Sequence, residues 1–424
     1  MRARIAVLAA AAAVAAPPAA APAPQPATQP LPVLHVRTAG AVRDEPKVAG
    51  TLVVRRAGRV TFRTRIGMEL RGHSSRAFPK PQYGLETWDA AGKERDVSLL
   101  GLPRESDWVL SAPYADKSLM RNVLGYDAAR SLGRYASRTV YAELFLNGSY
   151  RGVYVASERP KLDPVRVVAP RTDVTGGYLL ELTTRQKLRA TDFSLTTPVT
   201  NRAVVVTGVG GKDALLRRGW IGEFVADFER ALYGPDFRHP ERGWRGYVDE
   251  SAAVDYVLLQ EFFRNDDAFI ASTFAHKPAG EKLVFGPLWD LDAALGNSPR
   301  TRSLAPEGWL LAPRSSRPWV SRLYADPRFL DALERRWRDV RQHGLVERLL
   351  RRIDADAVRL EAAQRRNFAR WRILGRTVWL GGDALPPPRR TYAAELAYLK
   401  GWIQLRARWI DANIATLGRD WGAR

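Results

Sequence analysis

The chain has 424 residues, 46% apolar and 26% charged, with a formal net charge of +21. This composition supplies a core for one large domain or two lobes and excludes a disordered or fibrous chain. The absence of cysteine excludes disulfides, thiolate metal sites and thiol nucleophiles; basic residues spread without a block of five argue against nucleic-acid binding.

In chain order, Arg2 and Arg4 precede an apolar run from Ile5 to Ala16, followed by small-residue cleavage candidates. The pattern predicts a signal peptide over 1–23 and export to the cell envelope, periplasm or medium. The run is too short for a stable membrane span. Residues 24–36 are rich in Pro and Ala and are expected to be a linker. Strand signals follow at Thr51–Val54 and Val60–Arg65, across the turn Arg56-Ala57-Gly58. Residues 66–86 then give strand, Gly-Ser-rich loop and strand. Lys117 to Leu132 has helical period and ends at Gly133. Tyr141–Leu146 and Tyr150–Ser157 flank Asn147-Gly148, a strong hairpin signal. Beyond Lys161, strands at Gly177–Leu182 and Ala203–Val206 precede helices at 212–232 and 247–264. From 326 onward the pattern is almost wholly helical. The expected class is α+β, with a strand-rich N-terminal lobe over 37–160 and a mainly helical C-terminal lobe over 161–424.

Two stretches carry candidate chemistry. The helix Asp249–Arg264 runs into Asn265-Asp266-Asp267, then a hairpin whose turn centres near Ala279, then F-G-P-L-W-D-L-D over 285–292. Because an antiparallel hairpin returns its far end to its start, Asp267 and Asp290 are expected to meet. Such a pair suits a Mg²⁺ site, acid–base work on a glycoside, or a structural turn and cap, and residue types alone leave the three open. The second stretch, Arg71-Gly72-His73-Ser74-Ser75-Arg76, has Gly and hydroxyl residues that let backbone N–H groups approach a phosphate. Lys80 on the next strand could act there as a point charge.

Together with D-W-V-L-S-A-P-Y-A-D-K-S-L-M-R-N (107–122), E-L-F-L-N-G-S-Y-R-G-V-Y-V-A-S-E-R-P (143–160), G-G-Y-L-L-E-L (176–182) and R-R-N-F-A-R-W (365–371), these stretches resemble the CotH kinase family, relatives of bacterial spore coat protein H. The resemblance implies a diverged protein-kinase-like fold that binds ATP and Mg²⁺ and phosphorylates a Ser, Thr or Tyr hydroxyl of a protein. It implies that Asp267 is the catalytic base, with adjacent Asp266 the alternative, and that Asp290 and Asp292 hold the metal. Arg71, Gly72, Ser74 and Ser75 would cover the phosphates, and Lys80 would contact them, paired with Asp116, Glu158 or Glu181. Glu158 marks the crossing between the lobes and is expected among the cofactor-binding residues. Arg121 reads as a helix-face salt bridge rather than a phosphate contact. His73 stands where the family usually has Asn, and neither H-R-D nor D-F-G occurs, so ordinary kinases enter by analogy alone. A monomer is expected. The alternatives are a kinase-fold pseudoenzyme, a nucleotidyl transferase, or a cell-envelope binding protein without catalysis.

Overall fold

A computed structural model describes residues 30–311, 317–379, 381–382 and 386–417. The expected signal peptide lies outside the described residues, as does the linker up to residue 29.

Seven strands build the first half: β1 (Val33–Thr38), β2 (Val48–Arg56), β3 (Arg59–Arg71), β4 (Gln82–Trp88), β5 (Asp107–Ser111), β6 (Thr139–Leu146) and β7 (Ser149–Glu158). They close into a barrel in the order β1-β2-β3-β4-β5-β7-β6. Closure comes from β1, which pairs antiparallel with β2 and parallel with β6. Period-two alternation sends Leu34 and Val36, Leu52 and Val54, Ile66 and Met68 into the barrel around Trp108 and Tyr154. Two expectations are corrected here. The linker ends sooner than residue 36, because Val33-Leu34-His35-Val36 alternates and finds two strand partners. And the strand-rich half, expected as a kinase-like lobe, closes into a barrel.

The second half is not purely helical. A five-stranded sheet in the order β12-β11-β8-β10-β9 comprises β8 (Tyr178–Thr183), β9 (Ser194–Thr196), β10 (Ala203–Thr207), β11 (Thr273–Lys277) and β12 (Val284–Phe285). Helix α1 (Arg121–Ser131) lies between β5 and β6 in the chain. The others are α2 (Ala214–Tyr233), α3 (Glu250–Phe263), α4 (Thr301–Leu304), α5 (Val320–Leu323), α6 (Pro327–Gln342), α7 (Leu345–Arg370) and α8 (Tyr392–Asn413). Barrel residues Val109, Tyr141, Val153 and Val155 share one hydrophobic core with these helices, so the barrel is packed onto the helical half. Among the described residues, no helix is long and apolar enough to cross a membrane.

Helix α3 delivers the first site residue. Asp249 caps its N-terminus by accepting from the Ala252 N–H at 2.7 Å. Arg264 ends it in a left-handed conformation, φ 47°, which turns the chain into Asn265-Asp266-Asp267. The hairpin then forms in the register Ala275 opposite Phe285 and His276 opposite Val284.

Candidate active site

The hairpin does what its spacing predicts. Asp267, Asp290 and Asp292 all line one cavity of about 1010 Å³, together with Arg71, Gly72, Ser75 and Glu181. That volume lies at the upper end of ordinary ligand pockets.

Asp290 sits in a left-handed conformation, φ 61°, which Asp tolerates better than most residues. Its Oδ2 accepts from Ser272 Oγ at 3.3 Å. The backbone around it is held by α1: the Leu291 N–H donates to Asn122 Oδ1 at 2.7 Å, and buried Arg121 donates to the Ala294 and Leu295 carbonyls at 3.0 and 3.2 Å. A side chain at Gly125 would meet Leu291 Cδ1 at 2.4 Å, so glycine lets α1 approach this segment. Trp289 stacks on Tyr126, ring centroids 5.6 Å apart, and the Arg71 guanidinium covers its ring at 5.2 Å.

No direct ion pair neutralises these carboxylates. Among the described residues, no Lys or Arg forms a salt bridge with Asp267, Asp290 or Asp292. Burial and the neighbouring Asp290 carboxylate push the Asp267 carboxyl above its usual range. Burial, then Asp290 and Asp267, push Asp292 well above it. Glu181 is raised chiefly by burial. Clustered carboxylates with no salt-bridge partner among the described residues suit an incoming cation. The described residues contain no group of three or more His, Asp or Glu arranged to hold a metal. A cation here would rest on two carboxylates and complete its shell with water and substrate oxygens, which is how Mg²⁺ is commonly held.

Asp266 is different. Its carboxylate meets Arg300 at 2.7 Å, Arg302 at 2.8 Å, buried Arg317 at 3.6 Å and Ser303 Oγ at 3.0 Å. It is committed to these partners, whereas the Asp267 side chain has no such partner among the described residues. Of the two neighbours, Asp267 is the one whose carboxylate is left without an ion pair among the described residues.

The Gly-Ser loop also reaches the cavity. Gly72 has φ 92°, and a Cβ there would lie 2.0 Å from Ser75 Oγ, so only glycine permits the turn. Gly72, His73, Ser75 and Arg76 line the cavity. Ser74 opens a short 3₁₀ turn, Ser74–Ala77.

Two expected ligands lie elsewhere. Lys80 is buried and donates to the Val153 carbonyl at 2.6 Å and to Asn367 Oδ1 at 3.0 Å, with its ammonium 5.1 Å from the Tyr154 ring. It ties the barrel to α7 and is absent from the cavity wall. None of Asp116, Glu158 and Glu181 is its partner. Burial lowers its pKa to about 7. Glu158 is buried against Arg138 at 2.8 Å and Arg166 at 3.2 Å, and it too is off the cavity. Both departures have one cause. Each side chain points to the inner side of a packed interface, and no local pattern specifies that direction. Arg121, the first residue of α1, forms a buried ion pair with Asp116 at 2.5 Å; Asp116 precedes the helix, so this is not the expected helix-face bridge.

Sequence reasoning missed the cavity's aromatic wall, Tyr126 and Trp289, and treated Glu181 only as a partner for Lys80. It also passed over Lys187, on the 3₁₀ turn Arg185–Lys187 after β8. The flanking G-G-Y-L-L-E-L strand was the signal that could have pointed there.

No curated protein matches the chain. A family model described as CotH kinase protein matches residues 68–410, a span that includes every cavity carboxylate named above. The chain belongs to the CotH kinase family.

Proposed function

We propose that this protein is an exported kinase that transfers the terminal phosphate of ATP, with Mg²⁺, to a hydroxyl of a protein substrate. The observation that carries the proposal is the convergence of Asp267, Asp290 and Asp292, none in a salt bridge among the described residues, on one cavity roofed by a glycine-bearing loop. Family membership supports a kinase-type activity.

In this reading each side chain has one task. Asp267 accepts the proton of the substrate hydroxyl as its oxygen attacks phosphorus; its raised pKa brings it closer to the range in which a base works well. Asp290 and Asp292 would hold the metal ion, which supplies charge neutralisation at the phosphate oxygens. The Gly72–Ser75 turn offers backbone N–H groups to phosphate. Asp266, fixed by three arginines, positions the backbone of its neighbour Asp267. Trp289, stacked on Tyr126, carries the Arg71 guanidinium on the cavity wall.

Incubation of the mature protein with labelled ATP and Mg²⁺, followed by mass spectrometry of protein substrates, tests the proposal. Label from the terminal phosphate on a Ser, Thr or Tyr residue supports it. Transfer of the nucleotide portion instead assigns nucleotidyl transfer, and binding without any transfer assigns a pseudoenzyme. Intact mass of protein recovered outside the cytoplasm tests export: the mature chain is expected to begin between about residues 16 and 30. A species retaining Met1 in the cytoplasm refutes export.

A further inference from the structure

With Lys80 buried in the barrel–α7 contact, the proposed kinase reading lacks the cation that should meet phosphate. Six basic side chains, besides His73, line the cavity: Arg71, Arg76, Lys187, Arg189, Arg300 and Arg302. Four are committed to carboxylates. Arg76 pairs with Asp44, Arg189 with Glu45 at 3.1 Å, and Arg300 and Arg302 both with Asp266. Arg71 lies over the Trp289 ring. Lys187 alone makes no ion pair, side-chain hydrogen bond or ring contact among the described residues.

From this division of labour we infer that Lys187 is the phosphate-contacting lysine of the site, in the place that sequence order assigns to Lys80. The inference rests on the kinase reading and names the residue that reading lacks.

The position suits the task. Lys187 is half-buried at the end of the Arg185–Lys187 turn, which follows directly on β8. β8 is the sheet neighbour of β11, so the strand carrying Glu181 into the cavity also anchors the lysine. A lysine ammonium is a compact charge on a flexible stem, suited to following phosphate oxygens. Its charge already acts on the site, opposing the upward push on Asp267. The cavity's carboxylates would repel a polyphosphate, and a lysine ammonium without a carboxylate partner helps to offset them.

The test compares two ligands. Binding of Mg²⁺-ATP and of adenosine to the wild-type protein and to Lys187→Ala is measured by calorimetry or fluorescence titration. The variant is expected to bind Mg²⁺-ATP at least about tenfold more weakly, about 1.4 kcal/mol, while its affinity for adenosine is unchanged. Lys187→Arg should recover part of the loss. Equal loss for both ligands would mean a structural role and overturn the inference. So would unchanged ATP affinity in the variant, with the kinase reading intact. A wild-type protein that binds adenosine and ATP equally, or neither, overturns the kinase reading and the inference with it.

Discussion

Replacing Asp290 by Asn removes one charge from the cavity with little change of shape. Asn is preferred to Ala because the residue has φ 61°, where Ala would add roughly 1 kcal/mol of backbone strain and Asn is tolerated. An Asn oxygen can still accept from Ser272. With Mg²⁺-ATP about a hundredfold above its dissociation constant, linkage stabilises the wild type by about 2.7 kcal/mol. Unfolding entropy near 2.1 cal/mol/K per residue gives about 0.8 kcal/mol/K over the roughly 380 described residues, so Tm should rise by about 3 °C. In Asp290→Asn the magnesium-dependent part of this rise should vanish. The metal-free variant should match or slightly exceed wild-type Tm, because Asp290 is the leading charge that raises the carboxyls of Asp267 and Asp292.

The pH dependence has a fixed sign. A carboxyl whose folded pKa is raised contributes stability that is complete below the unfolded value. That contribution is lost as pH rises through the folded value. Metal-free wild type should therefore weaken as pH climbs from the ordinary carboxylate range through the raised values of Asp267 and Asp292. The increment from Mg²⁺-ATP should grow over the same range, since the ligands must be deprotonated. Asp290→Asn should flatten the first trend. Thermal melts of both proteins, with and without Mg²⁺-ATP at several pH values, provide the assay. A wild-type Tm that ignores millimolar Mg²⁺-ATP, or an Asn variant that responds as strongly as wild type, refutes the assignment.

Asp267→Asn should leave nucleotide binding intact and lower phosphoryl transfer by roughly a hundredfold or more; wild-type rates in the purified variant would remove Asp267 as base. Asp266→Asn should instead destabilise the fold by on the order of 3 kcal/mol in urea titration, because buried Arg317 loses its compensating charge; unchanged stability would refute the anchoring role. Lys80→Met should keep ATP affinity, and a large loss would return Lys80 to the site. Its folded pKa is depressed to about 7, so the stability it contributes is complete above the ordinary lysine value and is lost as pH falls to about 7. Wild type should therefore gain on the Met variant between neutral and alkaline pH in paired urea titrations.

The parts of this molecule that are local in sequence were legible there. Asn147 and Gly148, with φ 51° and 82°, form the turn their dipeptide announces. Counting outward from the hairpin turn brought Asp267 and Asp290 to one cavity, because hairpin pairing is set by nearby residues. What stayed hidden depends on distant partners. The barrel's closure needs β1 to find β6, and nothing in Val33–Thr38 names that strand. Lys80 follows the loop that lines the cavity, yet its amine turns toward Val153 and Asn367, the latter more than two hundred residues away. Glu158 sits at the expected crossing, but Arg138 and Arg166 absorb its charge. Spacing places a residue on an element, whereas the direction of its side chain is decided by what packs against it.

The closing pair of the barrel has a consequence for how the chain acquires its shape. Val33 meets Glu143, so the first stave must wait for the sixth to be available before the cylinder can seal. Until then β1, already paired with β2, and β6 each present an open edge. Contacts this distant form slowly, because loop-closure entropy must be overcome first. A chain crossing a membrane from its N-terminus would emerge with its barrel unsealed and still threadable. Trimming it past Val33 would leave the edges permanently exposed, an invitation to strand-to-strand self-association.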